Sequence, residues 1–156
     1  MVGSEAARTV ADADVLAADL LVGGVAREAL GHVRRHSWVE LVASEALLDD
    51  AEAVIAELGA GELASDWREQ IAPLCRLVEH PDGDHPGLAA AYRGEAAHLL
   101  TFDEALASAR TNQSVQPHMS LSIRSPASFA RLFDAESLYE SIHEQPYPGP
   151  DREPRA

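Results

Sequence analysis

The sequence has 156 residues, enough for one domain with a substantial core, and its formal net charge is −14, from 26 acidic and 12 basic residues. A charge this negative normally argues against a nucleic-acid partner, because phosphates bind cations. The single cysteine, Cys75, excludes an internal disulfide framework. No early stretch has the apolar length of a signal peptide or a membrane span, so we expect a cytoplasmic protein without membrane contact.

The first half of the chain predicts strands that alternate with helices. Residues 1–7 are expected to be a flexible terminus, residues 8–11 a short strand and residues 15–35 one long helix, in which Gly23 and Gly24 either mark a kink or allow close packing. His32 in that helix and His36 at its end are expected to be exposed. Residues 38–43 predict the second strand, and Ser44 is a good N-cap for a helix whose apolar stripe ends at Leu58.

The pattern continues through the middle of the chain. Residues 62–76 predict a helix with Leu74 pointing inward and Cys75 on its apolar face, and residues 77–79 predict a short edge strand. Asp84 is positioned to cap a helix that starts at Pro86 and ends at Gly94. The apolar run 96–100 then predicts a strand buried on both faces, as in a parallel sheet.

The last part of the chain predicts one more strand and three more helices. After a short helix that reaches residue 109 and a polar loop, residues 119–123 alternate with the period of a strand. A helix follows from Ser125, burying Phe129, Leu132 and Phe133, and Asp134 is expected to cap another that ends near residue 143. The tail, residues 144–156, is rich in proline and charge, and is expected to be mobile or to lie against the surface.

This alternation predicts an α/β fold: three α/β/α layers around a central, mostly parallel sheet, in one domain over residues 8–143. Asp12 follows the first predicted strand, and Thr101 and Asp103 follow a later one. Open sheets of this class bind ligands at the carboxyl ends of their strands. The sequence therefore predicts a site that contains Asp12 and Asp103.

Three segments resemble the PIN-domain family of metal-dependent nucleases. One is the D-x-N/D-V-L motif, here Asp12 to Leu16. Another is an acid, helix, strand and T-x-D unit running from Asp84 to Asp103, and the third is the segment 123–129. The resemblance covers roughly residues 9–133, and it implies the same three-layer fold.

The resemblance also implies a site and an activity. Four acids would bind one or two Mg²⁺ or Mn²⁺ ions and serve catalysis, with Asp14 and Thr101 supporting them; they are Asp12, Asp50, Asp84 and Asp103. Clustered carboxylates repel one another, and a divalent cation removes that repulsion. The implied activity is endoribonuclease cleavage of single-stranded or structured RNA, in RNA processing or as the toxin of a toxin–antitoxin pair. An antitoxin protein and a homodimer are the implied protein partners.

Two departures from the family pattern favour an alternative. Ala13 replaces the usual hydroxyl residue, and Asp50 stands where the family more often has Glu, with Asp49 as a neighbour one register away. The alternative function is a catalytically weakened PIN-like domain that binds RNA or protein.

Each acid also has a simpler interpretation. Asp12, Asp84 and Asp103 are ordinary turn or helix-start residues when taken singly, and Asp50 is an ordinary solvated acid. The joint spacing of these acids is what favours the site.

Two further patterns have competing interpretations. The charge and the absence of lysine resemble haloarchaeal proteins, in which acids hold hydrated surface at high salt, and the competing interpretation is a protein that avoids polyanions. At molar salt the Debye length is about 3 Å, so that local ligands decide binding. A second candidate metal cluster, for zinc or nickel, is formed by His80, Asp82, Asp84 and His85, against a plain charged loop as the simpler interpretation.

Overall fold

The computed structural model describes residues 3–81, 85–106 and 121–152. These ranges contain five strands and seven α-helices. The strands are β1 (Thr9–Ala11), β2 (Leu41–Ala43), β3 (Cys75–Leu77), β4 (His98–Leu100) and β5 (Ser122–Arg124). The helices are α1 (Ala13–Leu21), α2 (Gly24–Arg34), α3 (Glu45–Leu58), α4 (Gly61–Ile71), α5 (Pro86–Arg93), α6 (Pro126–Leu132) and α7 (Ala135–His143).

The strands form one parallel sheet in the order β3-β2-β1-β4-β5, so the predicted α/β/α fold with a central parallel sheet is confirmed. Val10 of β1 lies opposite Val42 on one side and Leu99 on the other. All three side chains are fully buried. The central strands are apolar on both faces because helices cover both, as parallel sheets require.

The predicted long helix over residues 15–35 is wrong, because the chain forms two helices there. Gly23 and Gly24 have φ angles of +86° and +55°, outside the right-handed helical region. The guanidinium of Arg27 donates to the carbonyl oxygens of Asp19 and Leu20, near the end of α1. The two glycines therefore separate α1 from α2 rather than bending one helix.

The predicted helix over residues 62–76 is also too long. Helix α4 ends at Ile71, and a 3₁₀ turn that contains Pro73 (Ala72–Leu74) leads directly into β3. Cys75 lies on this strand, not on a helix, and Leu74 is 48% exposed. The predicted edge strand exists but begins earlier, since the proline ends the helix one turn sooner. Burial raises the pKa of the Cys75 thiol to about 12, which suits a packing role.

Two leucines that were expected in the core are exposed. Leu58 and Leu132 are 72% and 56% exposed, and each is the last residue of its helix. The helical period continues to these residues, but the core beneath them has ended. Other expectations for the helices are confirmed: Phe129 is buried, and Asp134 caps α7, which ends at His143.

The tail lies against α2 as far as Arg152. Asp151 accepts a hydrogen bond from the Ser37 amide at 2.8 Å, and Arg152 donates to the carbonyl oxygens of Val33 and His36. The Nε2 atom of His36 lies 2.6 Å from the hydroxyl of Tyr147. His36 is only 3% exposed, so its predicted exposure is wrong: the tail covers it.

Candidate functional site

The sheet changes direction of winding at β1 and β4. From β1 the chain proceeds outward to β2 and β3, and β4 returns to the other side of β1, with β5 beyond it. Adjacent strands whose connections leave in opposite directions open a crevice at their carboxyl ends, where α/β sheets bind ligands. Asp12 follows β1 and Thr101 follows β4, so both lie at this crevice.

Asp12 is held on several sides at the crevice. Its amide donates to the carbonyl oxygen of Leu100 at 2.8 Å, which extends the pairing of β1 with β4. Its carboxylate accepts from the Ala13 amide at 3.0 Å and from the Thr101 hydroxyl at 2.9 Å, so that it caps α1 while fixed to β4. The residue is 9% exposed. These bonds define the direction of a nearly buried negative charge.

Asp14, in the first turn of α1, adds a second carboxylate. Its Oδ2 atom accepts from the Phe102 amide at 3.1 Å. Its Oδ1 atom is buried and has no hydrogen-bond partner among the described residues. Burial raises the pKa of Asp14, and the charges of Asp12 and, less strongly, Asp103 raise it further, while the amides of Phe102 and Val15 oppose the shift. The charged form of Asp14 is therefore disfavoured, and its Oδ1 atom has no hydrogen-bond partner among the described residues.

Asp103 supplies the third carboxylate. Its amide donates to the Thr101 hydroxyl oxygen at 3.1 Å. Its Oδ1 atom accepts from the amides of Ala105 and Leu106, at 3.0 and 3.2 Å. Thr101 therefore contacts both Asp12 and Asp103, and the two acids lie on the same side of the molecule.

The N-terminus of α5 closes another side of the crevice. A Cβ atom on Gly87 would lie 3.0 Å from Asp12 Oδ1, so glycine allows the helix to approach the carboxylate this closely. His85 caps this helix and its Nε2 atom lies 3.6 Å from Asp12 Oδ2. The cap was expected at Asp84; the structure has it at His85. From the sequence, His85 is a candidate only as a member of the zinc or nickel cluster.

Asp50 is not connected to this group among the described residues. Asp50 is exposed on α3, and no described hydrogen bond or ion pair joins it to Asp12, Asp14 or Asp103. Its neighbour Asp49 is bound to Arg68 at 2.9 Å, together with Glu45 and Glu52. Asp84 lies outside the described residues, as does Asp82 of the alternative cluster. In that cluster His80 contacts Ser44 and the carbonyl oxygen of Pro81.

Within the described ranges, no three Asp, Glu, His or Cys side chains converge closely enough to hold a metal ion. The chemistry of the donors nonetheless fits a hard divalent cation such as Mg²⁺ or Mn²⁺, which binds carboxylate oxygens. Asp14 offers a buried oxygen without a partner, and the described bonds of Asp103 use Oδ1 alone. Asp12, Asp14 and Asp103 are the described residues that would hold such a cation.

Comparison with known proteins gives a family but no activity. No curated protein and no solved structure matches the chain. Of the helices that the structure describes, none has the length and apolar character needed to cross a bilayer. One family model matches residues 3–155, nearly the whole sequence. The chain therefore belongs to DUF7384, a family of unknown function.

Proposed function

We propose that this protein is a metal-dependent endoribonuclease of PIN type. The observation that carries the proposal is the grouping of three acids at the crevice between β1 and β4: Asp12 and Asp103 are bonded to Thr101, and Asp14 to the amide of Phe102. Two of these acids, Asp12 and Asp103, follow adjacent strands, and burial, then the charge of Asp12 and less strongly that of Asp103, raise the pKa of Asp14. A divalent cation would reduce the repulsion among these carboxylates and would bind a carboxylate oxygen that has no hydrogen-bond partner.

Each acid of the proposed site has a defined task. Asp12 is an oriented ligand, because Thr101 and the Ala13 amide fix its two oxygens. Asp14 and Asp103 complete the described ligand set, and Asp84 and Asp50 remain ligands on the resemblance alone. The bound cation supplies an activated water and offsets charge on the phosphodiester. No nucleophilic side chain is required, so the work of the protein is orientation.

The proposed setting follows the same resemblance. The substrate is single-stranded or structured RNA, and the protein works in the cytoplasm as an RNA-processing enzyme or as a toxin restrained by an antitoxin. A homodimer is the proposed assembly. The acidic, lysine-free composition supports a salt-adapted protein, in which screening reduces the repulsion between the chain and RNA.

The direct test is cleavage of a mixed RNA substrate at high KCl with Mn²⁺, Mg²⁺ or EDTA. Wild type is expected to cut only with a divalent ion, and D12N is expected to lose at least about 100-fold in rate. D66N is the matched control, since it removes one negative charge from an exposed position on α4. Equal rates for D12N and D66N would contradict the proposal.

A second function is favoured by a specific observation. The described residues hold no converging group of three metal ligands, and Asp50 has no described link to the other acids. This supports a weakened PIN-like domain that binds RNA or protein without turnover. RNA binding at high KCl without cleavage in any metal, and with D12N binding as wild type does, would favour this alternative.

A further inference from the structure

His85 stands where α5 meets the acidic crevice, and its ring has a defined orientation. Its Nδ1 atom accepts a hydrogen bond from the Leu88 amide at 3.3 Å, which caps the helix. A neutral imidazole has one accepting nitrogen and one that carries the proton. Because Nδ1 accepts, the proton lies on Nε2, and the ring is a hydrogen-bond donor at that atom.

This donor faces the acids without being used by them. Nε2 lies 3.6 Å from Asp12 Oδ2, which is too far for a hydrogen bond. No acceptor for Nε2 lies within hydrogen-bond distance among the described residues, and the side chain is 38% exposed. Nε2 is therefore a donor at the edge of the crevice that no described residue accepts from.

Two other donors of the described residues, His80 and Arg68, are already engaged. His80 lies 2.8 Å from the Ser44 hydroxyl through Nε2 and 3.1 Å from the Pro81 carbonyl oxygen through Nδ1. A carbonyl oxygen only accepts, so His80 donates from Nδ1 and accepts from Ser44 at Nε2. Arg68 is bound to three acids on α3. A phosphate that enters an acidic crevice needs donors, and His85 offers one.

We propose that His85 donates its Nε2 proton to a non-bridging phosphate oxygen of the nucleic acid bound beside Asp12. This inference rests on the proposed ribonuclease function and adds a substrate-binding residue to it. His85 then has two separable tasks: Nδ1 caps α5, and Nε2 binds substrate. The second task needs neither a charged ring nor direct contact with a metal.

H85N and H85Q separate these two tasks, and His85→Leu is the control. H85N keeps an acceptor near the position of Nδ1, and asparagine is a good N-cap, but it removes the donor that reaches the crevice. H85Q is longer and carries an amide N–H toward the position of Nε2, although it caps less well. His85→Leu has neither group. The readouts are the Kd of a fluorescent single-stranded RNA in Ca²⁺, with RNA integrity checked after each titration, and the Kd of Mn²⁺ alone.

Because H85N loses a hydrogen bond to a charged group, it should bind RNA roughly 10- to 100-fold more weakly than wild type. Its Mn²⁺ affinity and melting temperature should stay close to those of wild type. H85Q should recover most of the RNA affinity. If H85N unfolds, H85Q must bind RNA more tightly than His85→Leu.

Three results would overturn the inference. They are wild-type RNA affinity in H85N, equal RNA affinity in H85Q and His85→Leu, and a loss of Mn²⁺ affinity that matches the loss of RNA affinity. Wild-type protein that neither binds nor cleaves RNA would remove the proposed function, and this inference with it. Normal cleavage by H85N with wild-type RNA affinity would remove this inference alone.

Discussion

The hydroxyl of Thr101 donates to Asp12 Oδ2 at 2.9 Å, across 89 positions of sequence. The same oxygen accepts the Asp103 amide at 3.1 Å. Thr101 is 1% exposed, so this bond is made away from water, where an unpaired polar group is costly. One buried hydroxyl thus joins the ends of β1 and β4 and fixes two of the proposed ligands relative to each other.

Replacing Thr101 by valine keeps its shape and removes this hydroxyl. We expect T101V to lower the free energy of unfolding by about 1–3 kcal/mol, because Asp12 loses a buried partner. T101S retains the hydroxyl and loses one methyl group, so its cost should be about 1 kcal/mol. Urea unfolding in EDTA measures both variants. A T101V protein as stable as wild type would show that the bond is not needed to hold Asp12.

Removal of the Asp14 charge should make the protein more stable than wild type when no metal is present. Burial, then Asp12, raise the pKa of Asp14 in the folded state above the unfolded value of 3.8. The charged form is therefore disfavoured by folding, so Asp14 lowers stability at neutral pH; this cost diminishes as the pH falls through the folded pKa and is gone below the unfolded pKa. D14N should accordingly raise the free energy of unfolding at pH 7 in EDTA.

The pH dependence supplies the control for D14N. Near about pH 3 the carboxyl is largely protonated in both states, and the advantage of D14N should shrink. Mn²⁺ should reverse the order of stability at pH 7, because the variant lacks a ligand. Urea unfolding at both pH values measures this. A D14N protein that is less stable than wild type in EDTA would contradict the proposal that the charge of Asp14 destabilises the folded state.

Divalent ions should stabilise the folded protein. Binding of Mn²⁺ at about tenfold over its Kd should raise the melting temperature by on the order of 4 °C, because only the folded chain assembles the carboxylates. D103N should remove most of this shift, and D66N should keep it. Calorimetry at high KCl, with and without EDTA, measures the effect. A shift of equal size in D103N would place the ion elsewhere.

Protonation of His98 should cause a separate loss of stability in acid. Burial, and secondly the charge of Arg124, lower the pKa of His98 from 6.5 to about 4. The unfolded chain therefore takes up this proton first. Stability from the neutral ring is present above about pH 6.5 and is lost as the pH falls to about 4, on the order of 3 kcal/mol in all.

His98→Leu should remove this component of the acid sensitivity. Its free energy of unfolding should fall less than that of wild type between pH 7 and about pH 4.5. The leucine would pack beside Phe129, whose ring centre lies 5.4 Å from that of His98. Urea unfolding at constant salt measures both proteins. Parallel pH profiles would show that His98 titrates normally.

The sequence alone determined the class of the fold and the places where its acids stand along the chain. Apolar runs and helical stripes are local, so they predicted the alternation of strands and helices and the helix end at Gly94. They also located Asp12 and Asp103 after strands, because a strand end is a local event. Their errors at residues 15–35 and 62–76 come from glycine conformation and a proline turn that compete with a continuing stripe.

Only the tertiary structure decided which of these residues meet. The order of the strands brings Thr101 to Asp12, and no local pattern contains that order. The approach of α5 makes His85 a cap whose free nitrogen faces the acids, and it depends on the absence of a side chain at Gly87. Distances between residues far apart in sequence follow from how the helices wind around the sheet, and winding is set by packing of the whole chain.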